Sequence, residues 1–483
     1  MRKRIVLLIT LLSVGLFPGV VSAASHTDSL SYAIERAVAA AQLSGTRKIG
    51  PSNEKLAKQY RSALLQRFLK YIKQDSQSQY DEDITPGQIE MANQLLQEIR
   101  TMGLPEGSEV YKSEHHYVFV NIPSNLSRPV PILGFSAHYD VTPDTKATDI
   151  KPQVITNYQG GPIVLPQPYK GEKQVIDPET LEGAYLKTQI GKTIVTSDGS
   201  TLLSADDKSG VAILMTMLQT LAENPTKPHG QIQIILAPNE DVGRAAEYVD
   251  ETPYRPEIAY DFDGETGGEV MIANFNAYQY FCTFIGKGGH QMYAATNGYR
   301  NVEYPMSLFI ERVCSIDPKN PLPLPNYTSE KGYVEPHHAV YDEEGNYYKK
   351  TEDFRLRSFS EAELQAWVKM ADKTAQEIAE MCGVKAETKL VCNYRNVAEV
   401  AHPKTQEVIR AAFARAGVPI NEVTVRAGTT ASMFVTKGLV GAYTIFTGQN
   451  NPHAPTEWLS EDDMFKGYIV GLNIIDEVVK LGK

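Results

Sequence analysis

An α/β fold, built on a mostly parallel sheet and carrying a smaller α+β domain inserted within it, is the class this sequence predicts. Three observations predict it. Short apolar runs recur, each leading at once into acidic residues or a histidine, and amphipathic helical segments alternate with them. Between about Phe275 and Asn393 the texture changes to long polar loops, Asn-Pro-Leu-Pro-Leu-Pro at 320–325, and all four cysteines. The length, 483 residues, is too great for one core and suits two large domains at roughly 100–200 residues each.

At the N-terminus, Arg2, Lys3 and Arg4 precede an apolar run, Ile5–Val21, closed by Val21-Ser22-Ala23. A basic start, a short apolar stretch and a small-residue site read as a cleavable signal peptide at 1–23, cut after Ala23, for a periplasmic or secreted protein. No later segment is long and apolar enough to span a bilayer, so no membrane partner is expected once the signal is removed. Tyr60–Lys73 and Ile89–Met102 follow as amphipathic helices, the first with Leu64, Leu65, Phe68, Leu69 and Ile72 at helical spacing. The apolar runs come next. Val130–Phe135 leads into His138 and Asp140, and Thr193–Leu203 into Ser204-Ala-Asp206-Asp207-Lys208 ahead of a helix at Val211–Leu221. Gln231–Ala237 leads into Asn239-Glu240-Asp241, Ile258–Phe262 into Asp263-Gly264, and Gly441–Thr447 into Gly-Gln-Asn-Asn-Pro-His453. The main domain is placed at 45–275 and 394–483, and the inserted domain at 276–393.

Composition narrows the function. With 42% hydrophobic and 22% charged residues the chain is an ordinary globular protein, which excludes collagen, a coiled-coil rod and a mostly disordered chain. A net charge of −11 offers no sequence-independent grip on nucleic acid phosphates. Cys282, Cys314, Cys382 and Cys392 include no Cys-x-x-Cys pair, against a cysteine zinc site or redox motif; a Cys382–Cys392 disulfide and buried free thiols both stay open.

In open α/β sheets the functional crevice lies beyond the carboxyl ends of the strands. Five polar clusters placed there converge on one site although they span more than 300 residues. His138, Asp206, Asp241, Asp263 and His453 make a nitrogen and oxygen donor set without sulfur, suited to zinc, cobalt or manganese. Two imidazoles and three carboxylates suffice for two divalent ions if one carboxylate bridges, a common arrangement for hydrolysing an amide or phosphate ester. Glu240, beside a ligand, is placed to act as general base. Asp140, two residues past His138, can hold that imidazole by its second nitrogen. Singly, each has a plain structural explanation: a helix cap for Asp206-Asp207, a turn for Asp263-Gly264, a solvated turn for Glu240-Asp241. The argument rests on all five falling at strand ends in this order.

His138-Tyr-Asp140, Leu203-Ser-Ala-Asp206-Asp207-Lys208-Ser-Gly210, Pro238-Asn-Glu240-Asp241-Val-Gly243, Asp263-Gly264 and Phe446-Thr-Gly448 with His453 together resemble the peptidase T group of tripeptide aminopeptidases, within the broad family of co-catalytic zinc peptidases. The resemblance runs from about Leu65 to the C-terminus and includes Asn157-Tyr-Gln-Gly-Gly161 and Asn274-Phe-Asn276. It implies a di-zinc exopeptidase domain with an inserted lid, and two Zn2+ per subunit, with Co2+ or Mn2+ as alternatives. His138 and Asp263 would hold one ion, Asp241 and His453 the other, and Asp206 would bridge. Glu240 would be the base and Asp140 the support of His138. His290, in the lid, would stabilise the oxyanion, and Arg357 and Arg426 would bind the carboxylate of a short peptide substrate. Lids of this family often dimerise, so a homodimer is also implied.

The sequence departs from the group in several places. Asp241 stands where the group has Glu, Asn239 replaces an Asp, and Thr430 follows Gly-Thr where an aspartate is usual. His290 is followed by Gln-Met-Tyr instead of Pro-Gly, and export is unusual for a typically cytoplasmic group. Two other readings remain: a sibling hydrolase (dipeptidase, carboxypeptidase or N-acyl amino acid deacylase) on the same metal site, and a non-catalytic binding protein on a retired scaffold. The completeness of the donor set argues against the second.

Overall fold

The strands that carry the site are buried along nearly their whole length. In chain order the first part of the molecule runs α1 (Arg61–Tyr71), α2 (Pro86–Arg100), β1 (Glu109–Lys112), β2 (Val118–Ile122), β3 (Leu133–His138), α3 (Ala205–Glu223), β4 (Ile232–Ala237), β5 (Ile258–Gly264) and β6 (Glu269–Asn274). There follow β7 (Asn276–Ile285), α4 (Glu303–Cys314), β8 (Gly332–Tyr341), β9 (Lys349–Ser358), α5 (Glu361–Cys382) and β10 (Lys385–Tyr394). The chain closes with α6 (Thr405–Ala416), β11 (Asn421–Val425), β12 (Ala442–Phe446) and α7 (Glu461–Val479). The structure, a computed structural model, describes residues 51–288, 292, 294–314, 332–341 and 348–482. The leader expected at 1–23, the expected start of the main domain at 45 and His290 lie outside the described residues.

Eight strands form a mixed, mostly parallel sheet in the order β1-β2-β4-β3-β5-β12-β6-β11. The pairs β4–β3, β3–β5, β5–β12 and β6–β11 are parallel. All six residues of β3 and of β4 are buried, as expected of strands covered by helices on both faces. Helices α1, α3, α6 and α7 pack into the same apolar core. α3 is apolar almost all round, from Val211 to Leu218 without an exposed residue, so it is a core helix. Burial of each such Leu, Ile or Met side chain contributes about 1.5–3 kcal/mol relative to exposure.

A second, antiparallel sheet has the order β8-β9-β7-β10 and a core of its own with α4 and α5. Ser360 caps α5 by accepting the Glu363 N–H, and Gly383 ends it at φ 65°, a left-handed conformation that glycine adopts without cost. The chain leaves the large sheet through Phe275, between β6 and β7, and returns after β10 at Arg395. Three buried asparagines clasp the crossing: the Asn396 N–H donates to Asn276 Oδ1 at 2.8 Å and the Val397 N–H to Asn274 Oδ1 at 3.0 Å, while Asn274 Nδ2 donates to the Arg395 carbonyl at 3.2 Å.

One expected strand lies elsewhere. From the run Thr193–Leu203 only Ile194–Thr196 is extended, and it belongs to a small antiparallel sheet with Gln153–Ile155 and Trp458–Ser460. Cys282, Cys314, Cys382 and Cys392 are free thiols, so Cys382 and Cys392 are not bridged.

Candidate active site and metal centre

Parallel register brings three of the predicted residues to one edge. β3 lies between β4 and β5, with His138 opposite Ala237 and Ser136 opposite Asp261. The ends of these three strands therefore deliver His138, the Asn239-Glu240-Asp241 turn and Asp263 side by side. Asp206 arrives by another route, at the head of α3, where Ser204 has φ 66° and the Asp206–Asp207 peptide is cis. His453 follows the turn after β12 and has φ 62°; Asn239, beside the proposed base, has φ 57°. Left-handed conformations at non-glycine residues cost on the order of 1–3 kcal/mol each and gather where function requires them.

The five predicted donors do meet. His138 Nε2 lies 3.0 Å from Asp206 Oδ1 and 3.5 Å from Asp263 Oδ1. His453 Nε2 lies 2.8 Å from Asp241 Oδ1 and 3.4 Å from Asp206 Oδ2. Two triads of donor atoms, His138/Asp206/Asp263 and Asp206/Asp241/His453, are each contained within 4.8 Å, and Asp206 is common to both. Glu240 Oε2 stands 3.8 Å from His138 Nε2. Asp140 Oδ1 lies 3.3 Å from His138 Nδ1, in ion-pair range though without hydrogen-bond geometry. The Asp140 carboxylate also accepts the N–H groups of Glu240 at 2.9 Å and Asp241 at 3.1 Å, so one side chain faces the imidazole and holds the Glu240-Asp241 turn. A third grouping, His138/Asp140/Asp241, is equally compact.

Asp207 was absent from the sequence-predicted set. It is fully buried, and its two oxygens accept the His138 N–H and the Gly210 N–H, each at 3.1 Å. An Asp-Asp pair ahead of an apolar helix reads as a solvated cap, and the only hint was that its neighbour Asp206 was already assigned.

Electrostatics show what this arrangement of side chains suits. Burial, then the Asp206 charge, pushes the Asp241 carboxyl up to about 7. Burial and the Asp206 charge likewise push Asp263 up to about 6, against the opposing pull of His138. Burial, with Asp263, Asp241 and Asp140 close by, lifts Glu240 well above the usual carboxylate range. For His138 burial alone would lower the pKa, but Asp263, Glu240, Asp140 and Asp206 outweigh it and raise it. His453 is pushed up to about 11, first by its hydrogen bonds to Asp206 and Asp241. For Asp206 burial acts upward, yet its bonds to both histidines hold it well below the ordinary value. Carboxylates outnumber cations here, and Asp241 Oδ2 is buried without a hydrogen-bond partner among the described residues. Two compact triads of oxygen and nitrogen donors sharing one carboxylate, with an orphaned oxygen among them, fit a pair of divalent cations.

A cleft of about 860 Å³ opens over these residues; its far wall includes Cys392 and Tyr394 of β10 and, beyond β11, Gly428 and Thr429. Arg357 and Arg426 are not among the residues that line it. The Arg357 guanidinium lies 5.6 Å from the Tyr394 ring centroid and donates to the Tyr278 carbonyl at 3.0 Å. Arg426 lies over Phe275 at 5.5 Å, and the Tyr394 hydroxyl donates to its carbonyl at 3.3 Å. The structure thus brings the five donors, Glu240 and Asp140 together, and leaves the two arginines outside the cleft lining.

Comparison with known proteins agrees with this geometry. The sequence profile of peptidase family M20/M25/M40 matches residues 204–477. Peptidase T from Listeria innocua is 32% identical over 427 residues, covering 86% of this chain and 98% of that relative. The chain belongs to this peptidase family, in its peptidase T group. It is an enzyme, a metallo-exopeptidase of the peptidase T type. Among solved structures, an aminopeptidase PepT from Bacillus cereus matches with TM-score 0.63 at 17% identity, covering 86% of this chain and 98% of that one. A dinuclear metal-binding M20 peptidase from Bacillus subtilis matches with TM-score 0.57 at 12% identity, covering 87% and 99%. At such identities the two structures establish a shared fold. Among the described residues of this peptidase no helix is long and apolar enough to cross a membrane.

Proposed function

We propose that the chain is an exported di-zinc aminopeptidase that removes the N-terminal residue of short peptides, tripeptides foremost. The observation that carries the reading is the pair of donor triads sharing Asp206, with Glu240 beside them in an open cleft. His138 and Asp263 would hold one Zn2+ and Asp241 and His453 the other, with Asp206 common to both; Co2+ or Mn2+ suits the same donors. Bound there, the metals supply Lewis acidity and a water of lowered pKa. Glu240 takes the proton of the water that attacks the scissile carbonyl and returns it to the departing amine nitrogen, a role its raised pKa suits. Asp140 fixes the His138 ring and the backbone of the base. His290 is assigned to the oxyanion, from the resemblance alone.

Arg357 and Arg426 are assigned to the peptide's terminal carboxylate. The Arg357 guanidinium lies against Tyr394, which lines the cleft, and the Arg426 backbone carbonyl accepts the Tyr394 hydroxyl, so both stand next to a cleft residue. Guanidinium groups spaced for the terminal carboxylate of a tripeptide would pair poorly with that of a longer chain, which would explain a length limit. We assign 45–275 and 394–483 to the catalytic domain and 276–393 to a lid that also serves dimerisation. The basic-apolar leader with its Ala23 site supports export, and a mature N-terminus at Ala24 in the exported protein is its check.

The deciding experiment compares free tripeptides with dipeptides, tetrapeptides and C-terminally amidated tripeptides. Free tripeptides are expected to turn over fastest; equal rates on all four remove the carboxylate clamp. A second reading, a sibling dipeptidase, carboxypeptidase or N-acyl amino acid deacylase on the same metal site, is kept by Thr430. It stands where the group carries an aspartate, and its hydroxyl is buried without a hydrogen-bond partner among the described residues. Turnover of acetylated amino acids, with none of free-amine peptides, selects the deacylase; turnover of dipeptides above all tripeptides selects the dipeptidase.

A further inference from the structure

Glu457 is completely buried, yet it belongs to neither donor triad and nothing in the sequence singled it out. It lies four residues beyond His453, immediately before the short strand Trp458–Ser460. Its carboxylate faces the bend that delivers Asp206. Oε2 accepts the N–H groups of Leu203 and Ser204, both at 2.7 Å, and Oε1 accepts that of Asp206 itself at 2.9 Å. Three amide donors converging on one buried carboxylate make short, charge-assisted bonds. They grip the one place where the chain adopts the left-handed Ser204 conformation and turns into α3.

The other end of the same five-residue stretch carries His453. Its carbonyl accepts the Thr145 hydroxyl at 2.6 Å, and the Glu457 N–H closes back on the Ala454 carbonyl at 3.0 Å. One short, internally bonded segment therefore presents one donor and holds the backbone of the donor common to both triads. We propose that Glu457 is a positioning residue for the metal pair: it fixes the shared ligand Asp206 relative to the terminal ligand His453 without touching either ion. The inference rests on the metal site proposed above. A carboxylate is required because two oxygens must serve three donors. Glutamine keeps the volume but offers one oxygen, and turns an NH2 toward an N–H.

The test uses the full-length enzyme with Zn2+ and Co2+ as probes. Wild type is titrated first, against a chromogenic chelator; fewer than two Zn2+ bound means that the metal-site reading has failed, and this inference falls with it. With two bound in wild type, Glu457→Gln is expected to bind Zn2+ about 10- to 100-fold more weakly, the usual effect of removing a group that orients a ligand. At saturating Zn2+ its kcat should fall about tenfold or more with KM within about twofold, and the visible bands of the Co2+ form should shift. Glu457→Asp, which keeps the charge, should fall between the two. Zn2+ affinity and kcat within twofold of wild type in Glu457→Gln overturn the proposal whatever the change in Tm. If neither variant folds, Glu457 is a general structural residue and the proposal is equally overturned.

Discussion

Glu98 on α2 and Asp263 at the end of β5 are carboxylates of similar burial, 17% and 8% exposed, in opposite electrostatic settings. Around Glu98 the charges are matched: Arg67 and Lys70 of α1 each donate to it at 2.7 Å. Burial acts to raise its pKa, but the bonds to Lys70 and Arg67 outweigh burial and lower it. Around Asp263 they are unmatched, because Asp206 and Glu240 crowd the same imidazole. Burial paired with basic side chains marks a carboxylate that holds the fold together. Burial among other carboxylates marks one suited to bind a cation, as proposed for Asp263, at the expense of stability.

The comparison breaks most decisively at Asp206. If that side chain is what makes two triads one site, Asp206→Asn should lose both Zn2+ and its turnover of a tripeptide should fall to background, while the far-ultraviolet spectrum stays native. Retention of one tightly bound Zn2+ with measurable turnover would make the two sites independent. Glu240→Gln tests the only carboxylate of the group assigned to proton transfer instead of binding. Both metals should stay while kcat drops by about 10²- to 10⁴-fold. Loss of metal with activity would instead make Glu240 a ligand. Arg426→Ala, smaller again, should raise KM for a free tripeptide about 10- to 100-fold and leave an amidated tripeptide unchanged, the range for hydrogen bonds to a charged group. Equal effects on both substrates would return this exposed arginine to a surface role.

How much of this the sequence disclosed follows from the same physics. β3, β4, β5 and β12 were legible because strands covered on both faces must be continuously apolar, and their ends must then be polar. His138, Asp241 and Asp263 follow directly from that rule. Asp206 does lie among the other expected donors, but by a different route than expected: no central-sheet strand precedes it, and the head of α3 delivers it. Glu457 and Asp207 were passed over because a buried carboxylate and a solvated one are the same letter. Only the fold reveals that backbone N–H groups surround them. The arginines show the converse: a motif carries a residue type to a position, but their guanidinium groups lie over Tyr394 and Phe275 and neither lines the cleft.

The matched side of the comparison makes the smallest prediction and the one with a sign in pH. Glu98 has its folded pKa below the ordinary 4.5, so its ion pairs with Arg67 and Lys70 contribute stability that is fully present above that value and is lost as the pH falls through the folded pKa. Glu98→Gln should therefore cost about 1–2 kcal/mol in urea unfolding at pH 7, where a hydrogen-bonded, mostly buried charge is removed. The difference from wild type should shrink steadily below pH 4.5, as the wild-type carboxylate itself becomes neutral. An equal loss at pH 7 and pH 4 would mean that Glu98 stabilises by packing alone. The contrast with Asp263 would then reduce to geometry, with no contribution from whether neighbouring charges agree or oppose.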